Sequence, residues 1–298
     1  MEMHKPSALT GKESVLDMDH YYLLGSPIAH SLSPKMMNTS FRLLGVDAEY
    51  GLRETTAPTL TEVVTELKKE GACGWNVTMP VKSAMMSLCD ELSLASRIGG
   101  SVNTVVNRGG RLTGHTTDGI GLVQALARAG ISIKGEKLAL LGTGGAASAI
   151  LIQCAIDGAK EIAVFANRPA SRARAERIRA ELTDVSPCKI EILSYEDPEL
   201  LRSVIAASRV LINATNVGME GADAPSCLIP DESFLHKDLF VYDIIYHPAK
   251  TPLLAMAEAA GIPFENGVSM LLCQGAASFR LWTGLEMPLD DLVGDLFR

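Results

Sequence analysis

The stretch Gly142-Thr143-Gly144-Gly145-Ala146-Ala147 directly follows the apolar run KLALL and opens a segment of helical period, so it satisfies G-x-G-x-x-G/A. That spacing is suited to an anion. The first glycine permits a tight strand-to-helix turn, the second lets the backbone approach a pyrophosphate, and the helix N-terminus supplies unpaired N–H donors and a positive dipole. A Gly-rich turn without a ligand has the same composition, but a strand before it and a helix after it favour a dinucleotide site. The next strand, EIAVF, ends at Ala166-Asn167-Arg168, where an NAD site places an Asp or Glu against the ribose 2′-hydroxyl. Arg168, with Arg172 one turn on, offers guanidinium forks to a 2′-phosphate instead, which favours NADP over NAD. Glu161, at the strand's beginning, reads as a surface charge. Arg174, Arg177 and Arg179 read as a solvated helix face.

Four further clusters carry polar side chains where β-type runs end, the edge at which an open α/β sheet collects its ligand. They are Ser31-Leu32-Ser33-Pro34, Asn76-Val77-Thr78-Met79-Pro80-Val81-Lys82, Ser101-Val102-Asn103-Thr104 and Gly114-His115-Thr116-Thr117-Asp118-Gly119. Each also has a purely structural explanation. Ser33 before Pro34 fits an N-cap, Asp118 fits a cap of the helix it precedes, Lys82 fits a solvated first turn, and Asn103 fits a turn.

The elements that must position these residues alternate. From Tyr21 the runs YYLL, AEYGL, GWNV and VNTVVN with RLTGH are interleaved with helical periods over 34–44, 58–69, 81–89 and 119–129, a pattern of parallel strands joined by helical crossovers. A second series runs through KLALLG, EIAVF, KIEIL, VLINAT and LFVYDI, with helices over 145–157, 170–182, 198–206 and 252–260, and reads as a doubly wound nucleotide-binding sheet. The stretch AGISIKGEK separates the two series. The chain has 298 residues, a net charge of −8, 47% hydrophobic and 21% charged residues, which excludes disorder and a polybasic nucleic-acid binder and suggests two domains. Six scattered cysteines form no Cys-x-x-Cys pair, so no disulfide framework or metal site is expected. No apolar run is long enough for a membrane span or signal peptide, and the expectation is a cytoplasmic protein with a mobile tail before Tyr21.

GSPIAHSLSP, NVTMPVK, GSVNT, GHTTDGIG, GTGGAA, NRPASRA, NATNVGM, YDIIYHPAKTPLL and GVSMLLCQGAASFRLWTG occur in the order and spacing of the shikimate dehydrogenases, including quinate/shikimate dehydrogenases. The resemblance spans roughly residues 21–285 of the sequence. Beyond the tail over 1–20, which shows no strand or helix period, it implies an α/β fold with a substrate-binding catalytic domain over 21–118, an NADP-binding Rossmann domain over 119–266, and C-terminal helices over 267–298 that return to the first domain. The implied reaction is reversible NADP-linked reduction of 3-dehydroshikimate to shikimate, with NAD as a possible cofactor and a small molecule as the partner of a monomer or homodimer. Carried over residue by residue, the resemblance makes Lys82 and Asp118 the catalytic pair and sets Ser31, Ser33, Thr78, Asn103, Tyr246 and Gln274 against the substrate. Gly142, Thr143, Gly144, Gly145, Ala146, Asn167, Arg168, Arg172, Ile244 and Gly267 would meet the cofactor. A cationic donor is what hydride delivery to a ketone requires, because negative charge builds on the carbonyl oxygen.

Four positions depart from the family pattern. Met37 leaves Asn38 without its usual histidine neighbour, Thr116 replaces the asparagine of Asn-Thr-Asp-Gly, and Pro169 replaces a threonine, removing a hydroxyl and an N–H from the expected phosphate clamp. Thr143 stands where alanine is common. A quinate-active enzyme using NAD or NADP is the nearest alternative, since the same motifs serve it. A non-catalytic sensor of shikimate-like acids and an NADP oxidoreductase of unrelated substrate are the others; retention of Lys82, Asp118 and the full phosphate loop argues against the first, and the cluster Ser31, Ser33, Thr78, Asn103 and Gln274 against the second.

Overall fold

The computed structural model describes residues 18–221 and 226–296, which form two six-stranded sheets joined through helices. Most of the expected tail lies outside the described residues. The first strand begins at Asp19 rather than Tyr21, because Asp19 and His20 already pair with Ala48 and Glu49 of the neighbouring strand.

The first sheet is built from β1 (Asp19–Gly25), β2 (Ala48–Glu54), β3 (Gly74–Val77), β4 (Glu91–Leu92), β5 (Thr104–Arg108) and β6 (Arg111–His115), with α1 (Ser33–Leu44), α2 (Leu60–Lys69) and α3 (Leu94–Gly99) between them. Its strand order is β2-β1-β3-β5-β6-β4. It is not the all-parallel sheet that alternation suggested. β5 and β6 form a hairpin across Gly109-Gly110, both at positive φ, because a turn that short returns the chain antiparallel, and β5 also pairs antiparallel with β3. The expected helix over 81–89 is also shorter, a turn at Lys82 followed by a 3₁₀ helix over Ala84–Leu88. The Lys82 carbonyl is taken by Val102 N at 3.0 Å, which withdraws it from a helical ladder.

α4 (Asp118–Arg128) leads to the second sheet: β7 (Lys137–Leu141), α5 (Gly145–Ile156), β8 (Glu161–Phe165), α6 (Pro169–Leu182), β9 (Lys189–Leu193), α7 (Pro198–Ala206), β10 (Val210–Asn213), β11 (Phe240–Asp243), α8 (Pro252–Ala259) and β12 (Phe264–Glu265). All its strands are parallel in the order β12-β11-β10-β7-β8-β9, the Rossmann arrangement, with its reversal between β7 and β10. α9 (Gly267–Thr283) and α10 (Leu289–Leu296) then return to the first sheet.

α9 does so by shape. Phe279 and Trp282 pack with Tyr21, Phe41 and Tyr50, the Tyr21 and Trp282 rings lie 4.8 Å apart, and Trp282 donates its indole N–H to the Val105 carbonyl at 2.9 Å. A buried aromatic of this size stabilises by about 1.5–3 kcal/mol, so the return is firmly held. Met270 and Cys273, on the same helix, join the core around α4 and α5. Close approach needs glycine: a Cβ on Gly121 of α4 would lie 2.7 Å from Gln274 Cβ, and one on Gly119 would lie 2.2 Å from the Ala149 carbonyl oxygen.

Candidate active site

Lys82 and Asp118 meet at the edge of the first sheet, with Lys82 Nζ donating to Asp118 Oδ2 at 2.9 Å. The hairpin explains why. β1 and β3 are parallel and end at one edge; β5, running against β3, begins at that edge, and β6 ends there again. Asn103 before β5, Thr78 and Lys82 after β3, Ser31 and Ser33 after β1, and Asp118 after β6 are thereby gathered from distant sequence. Lys82 is 28% exposed and Asp118 14%, so the pair is reachable but partly shielded.

Neither structural explanation for the pair holds. Asp118 is the first residue of α4 and makes no capping bond; its Oδ1 accepts Asn103 Nδ2 at 2.7 Å. Lys82 is ion-paired in a turn, not solvated on a helix. Ser33 is likewise not the cap of α1, which starts on Ser33 with Leu32 before it. Asn103 does satisfy a turn, accepting Thr117 N at 2.8 Å on Oδ1, and the same bond orients its amide nitrogen toward Asp118.

Behind this pair lies a buried polar network. Asn76 Nδ2 donates to the Asn103 carbonyl at 3.1 Å and contacts the Thr104 and Ser278 hydroxyls, each at 3.0 Å, while Tyr50 donates its phenol proton to Asn76 Oδ1 at 2.8 Å. Burial raises the Tyr50 pKa well above the ordinary phenol value, keeping it a neutral donor. Gln274 reaches the network from α9, its Oε1 3.4 Å from Thr117 Oγ1. Asn38 is spent on the backbone of Tyr50, at 2.7 and 2.9 Å. Thr116 does not reach Asp118; its hydroxyl is buried without a hydrogen-bond partner among the described residues. Thr78 Oγ makes no protein hydrogen bond among the described residues, and Ser31 Oγ accepts Ser33 N at 3.2 Å.

The second half of the cleft lies at the reversal of the Rossmann sheet. Gly142 has φ +103°, and a Cβ there would lie 2.8 Å from Thr215 Cγ2, whereas Gly144 and Gly145 face open space. α5 has no side-chain cap, so its first N–H groups are available to an anion, and the residues present fit a dinucleotide pyrophosphate. Thr143 is buried beside Ala146, its carbonyl accepting Ser148 Oγ at 3.3 Å. Asn167 Oδ1 accepts Tyr195 N at 2.7 Å, tying the end of β8 to the segment after β9. Arg168 stands at the N-cap of α6, exposed, its guanidinium without a partner among the described residues. Arg172 is held differently from the expectation, donating to the carbonyls of Ala166 at 3.3 Å and Ile192 at 3.4 Å.

Three charges depart from their expected roles. Arg174 is not merely solvated but donates to the Thr143 carbonyl at 3.0 Å, and Arg177 crosses to the Ile98 carbonyl at 2.8 Å. Only contact with a second segment distinguishes them from Arg179, which pairs with Glu176 on its own helix. Glu161 is an ion-pair node with Lys137 at 2.6 Å and Lys189 at 3.6 Å, at the opposite end of β8 from the phosphate loop. The Lys137 hydrogen bond holds its pKa below the usual carboxylate value.

Asp243 was missed by sequence reading. Its carboxylate accepts Thr251 Oγ1 at 2.7 Å and Asn213 Nδ2 and Ile245 N at 3.1 Å each, shaping the segment that carries Ile244 and Tyr246; burial raises its pKa despite these donors. A carboxylate ending the apolar strand FVYD was the available signal. Gly267 lets α9 begin beneath Ile244, whose carbonyl oxygen a Cβ would approach to 2.0 Å. Tyr246 is 52% exposed and makes no hydrogen bond among the described residues. Tyr242 is core, its phenol bonded to Ser269, while His247 is exposed and paired with Glu220.

Residues 23–105 match the shikimate dehydrogenase substrate binding domain, and residues 267–292 match the shikimate 5′-dehydrogenase C-terminal domain. A shikimate dehydrogenase (NADP(+)) of Listeria monocytogenes is 43% identical over 275 residues, 92% of this chain and 94% of that protein. The chain belongs to the shikimate dehydrogenase family. The solved shikimate 5-dehydrogenase from Listeria monocytogenes, in complex with shikimate and NAD, superposes with a TM-score of 0.90 at 42% identity, covering 96% of this chain and 99% of that one. Quinate dehydrogenase from Corynebacterium glutamicum, in complex with NAD, gives a TM-score of 0.81 at 27% identity, covering 93% and 98%. This member of the shikimate dehydrogenase family is thus an NAD(P)-linked oxidoreductase acting on a CH–OH group. Among the described residues no helix is long and apolar enough to cross a membrane.

Proposed function

We propose that the protein catalyses the reversible NADP-dependent reduction of 3-dehydroshikimate to shikimate. The observation that carries this reading is the Lys82–Asp118 pair at 2.9 Å, oriented by Asn103 and opening on the same cleft edge as Ser31, Ser33 and Thr78. When bound, the dinucleotide supplies the hydride. Lys82 donates a hydrogen bond to the carbonyl oxygen as charge develops there and delivers the proton from Nζ; Asp118 aims the ammonium through Oδ2. Ser31, Ser33, Thr78, Asn103, Gln274 and Tyr246 bind the carboxylate and hydroxyls of the ring. The loop Gly142–Ala146 binds the pyrophosphate with Ile244 and Gly267 lining the far side of the cleft, and Arg168, near Asn167, meets the 2′-phosphate.

A second reading, a quinate/shikimate dehydrogenase that accepts NAD, has its own support. Arg172 is engaged with backbone carbonyls, and Pro169 offers no N–H, which thins the clamp around a 2′-phosphate. The deciding experiment measures reduced-nicotinamide absorbance with shikimate or quinate crossed against NADP or NAD, compared as kcat/KM. Preference for shikimate with NADP supports the first reading, and preference for quinate or NAD supports the second. Absence of turnover in every combination overturns both.

A further inference from the structure

Three hydroxyls sealed between β5, α4 and α9 share too few acceptors to be independent. Thr104, Thr117 and Ser278 are each 0% exposed. Thr104 Oγ1 lies 2.7 Å from Ser278 Oγ and 3.0 Å from Asn103 Oδ1. Ser278 Oγ lies 3.1 Å from the Gln274 carbonyl. Thr117 Oγ1 accepts Asn103 Nδ2 at 3.1 Å and lies 3.2 Å from Asn103 Oδ1 and 3.4 Å from both Gln274 Oε1 and Ser278 Oγ.

Each hydroxyl has one proton, and Asn103 Oδ1, already bonded to Thr117 N, has room for one more donor. Two assignments complete Asn103. In the first, Thr104 donates to Asn103 and Ser278 to Thr104 or to the Gln274 carbonyl, while Thr117 donates to Gln274 Oε1, because Ser278 Oγ already accepts Asn76 Nδ2. In the second, Thr104 donates to Ser278, Ser278 to the Gln274 carbonyl, and Thr117 to Asn103, which leaves Gln274 Oε1 with no protein donor. With Ser278 donating to Thr104, the first runs one unbroken line of donors from Tyr50 through Asn76, Ser278, Thr104 and Asn103 to the Asp118 carboxylate. Aligned bonds polarise one another, and these terminate on a negative charge, so the first assignment is the stable one. In it Gln274 is held at both ends of its amide, by Thr117 at Oε1 and by its own Nε2 bond to the Leu271 carbonyl at 3.1 Å.

We propose that Thr104 is a positioning residue of this site: its hydroxyl completes Asn103, releases the Thr117 proton to Gln274, and thereby fixes the amide that the substrate meets. This rests on the reading above in which Gln274 contacts the substrate. It explains how α9, reached only after the whole Rossmann sheet, is kept in register with Asn103 and Asp118. Ser278 is dispensable to this role, because without it Thr104 still donates to Asn103.

The test compares Thr104→Val, Thr104→Ser and Ser278→Ala by steady-state kinetics beside the wild-type protein, with thermal melts to establish folding. Thr104→Val should raise the KM for shikimate about five- to tenfold with the KM for NADP unchanged, while Thr104→Ser and Ser278→Ala stay within about twofold of wild type. Unchanged shikimate KM in Thr104→Val, equal impairment in Thr104→Ser, or equal impairment in Ser278→Ala overturns the proposal, since packing alone would then account for the effect. Should Thr104→Val fail to fold, Thr117→Val removes the Gln274 Oε1 donor directly and must show the same rise in shikimate KM. Wild-type protein without turnover overturns the parent reading and the positioning role with it; wild-type turnover with an unaffected Thr104→Val overturns only the latter.

Discussion

Arg174 on α6 donates from Nη1 to the carbonyl of Thr143 at 3.0 Å, gripping the phosphate loop from the outside. The bond is to backbone, so it acts on the shape of the loop rather than on any one phosphate. Arg174→Met should raise the KM for NADP and for NAD by the same factor, about three- to tenfold, with kcat little changed. A rise confined to NADP would mean that the guanidinium leaves Thr143 for the 2′-phosphate.

Arg168 makes the opposite prediction. Its guanidinium has no partner among the described residues and stands where β8 ends, so Arg168→Ala should weaken NADP far more than NAD. Titration of the purified protein with each dinucleotide separates the two, and identical losses would show that this arginine never meets a 2′-phosphate.

Lys82→Ala removes the group that stabilises the developing oxyanion and supplies the proton. It should lower kcat about 10²–10⁴-fold, while dinucleotide affinity, measured by fluorescence titration, changes little. Equal loss of dinucleotide affinity would assign Lys82 to the cofactor instead.

Gly121→Ala tests the seat of α9. The added Cβ would stand 2.7 Å from Gln274 Cβ and 2.8 Å from its backbone nitrogen, so the helices must separate. Denaturant unfolding should show a loss of about 1–3 kcal/mol, the usual consequence of overpacking, together with a raised substrate KM because Gln274 moves. An unaltered unfolding midpoint would mean that α4 and α9 part easily.

Glu161 sets an acid-sensitive term. Lys137 holds the folded-state pKa below the ordinary glutamate value of 4.5, so protonation costs the folded state more than the unfolded one. The stabilisation is therefore present above that value and fades as pH falls through the depressed folded value. The stability advantage of wild type over Glu161→Gln, measured by urea unfolding, should be full near neutrality and shrink below about pH 4.5. An advantage independent of pH would mean that the ion pairs contribute nothing.

The strand-helix rhythm, the phosphate loop and the place of Arg168 just after β8 were legible in the sequence, because each depends on a few consecutive residues. Glycine spacing sets the local backbone, and apolar period sets which face of a strand or helix is buried. The motif order likewise carried the family, for it spans nearly the whole chain. Tertiary structure alone decided the rest. The Gly109-Gly110 hairpin, which sets Asn103 beside Asp118, is local, but that β5 lies against β3, and so brings Lys82 to the pair, depends on strand order. Arg174 and Arg179 share one helix and one side-chain type, yet only Arg174 meets the loop, since which face of α6 looks toward β7 is set by how the helix crosses the sheet. Thr104 and Ser278 stand 174 residues apart and 2.7 Å from contact-partner to partner, a closeness that exists only once α9 has returned to the first sheet and buried both hydroxyls where each proton must find an acceptor.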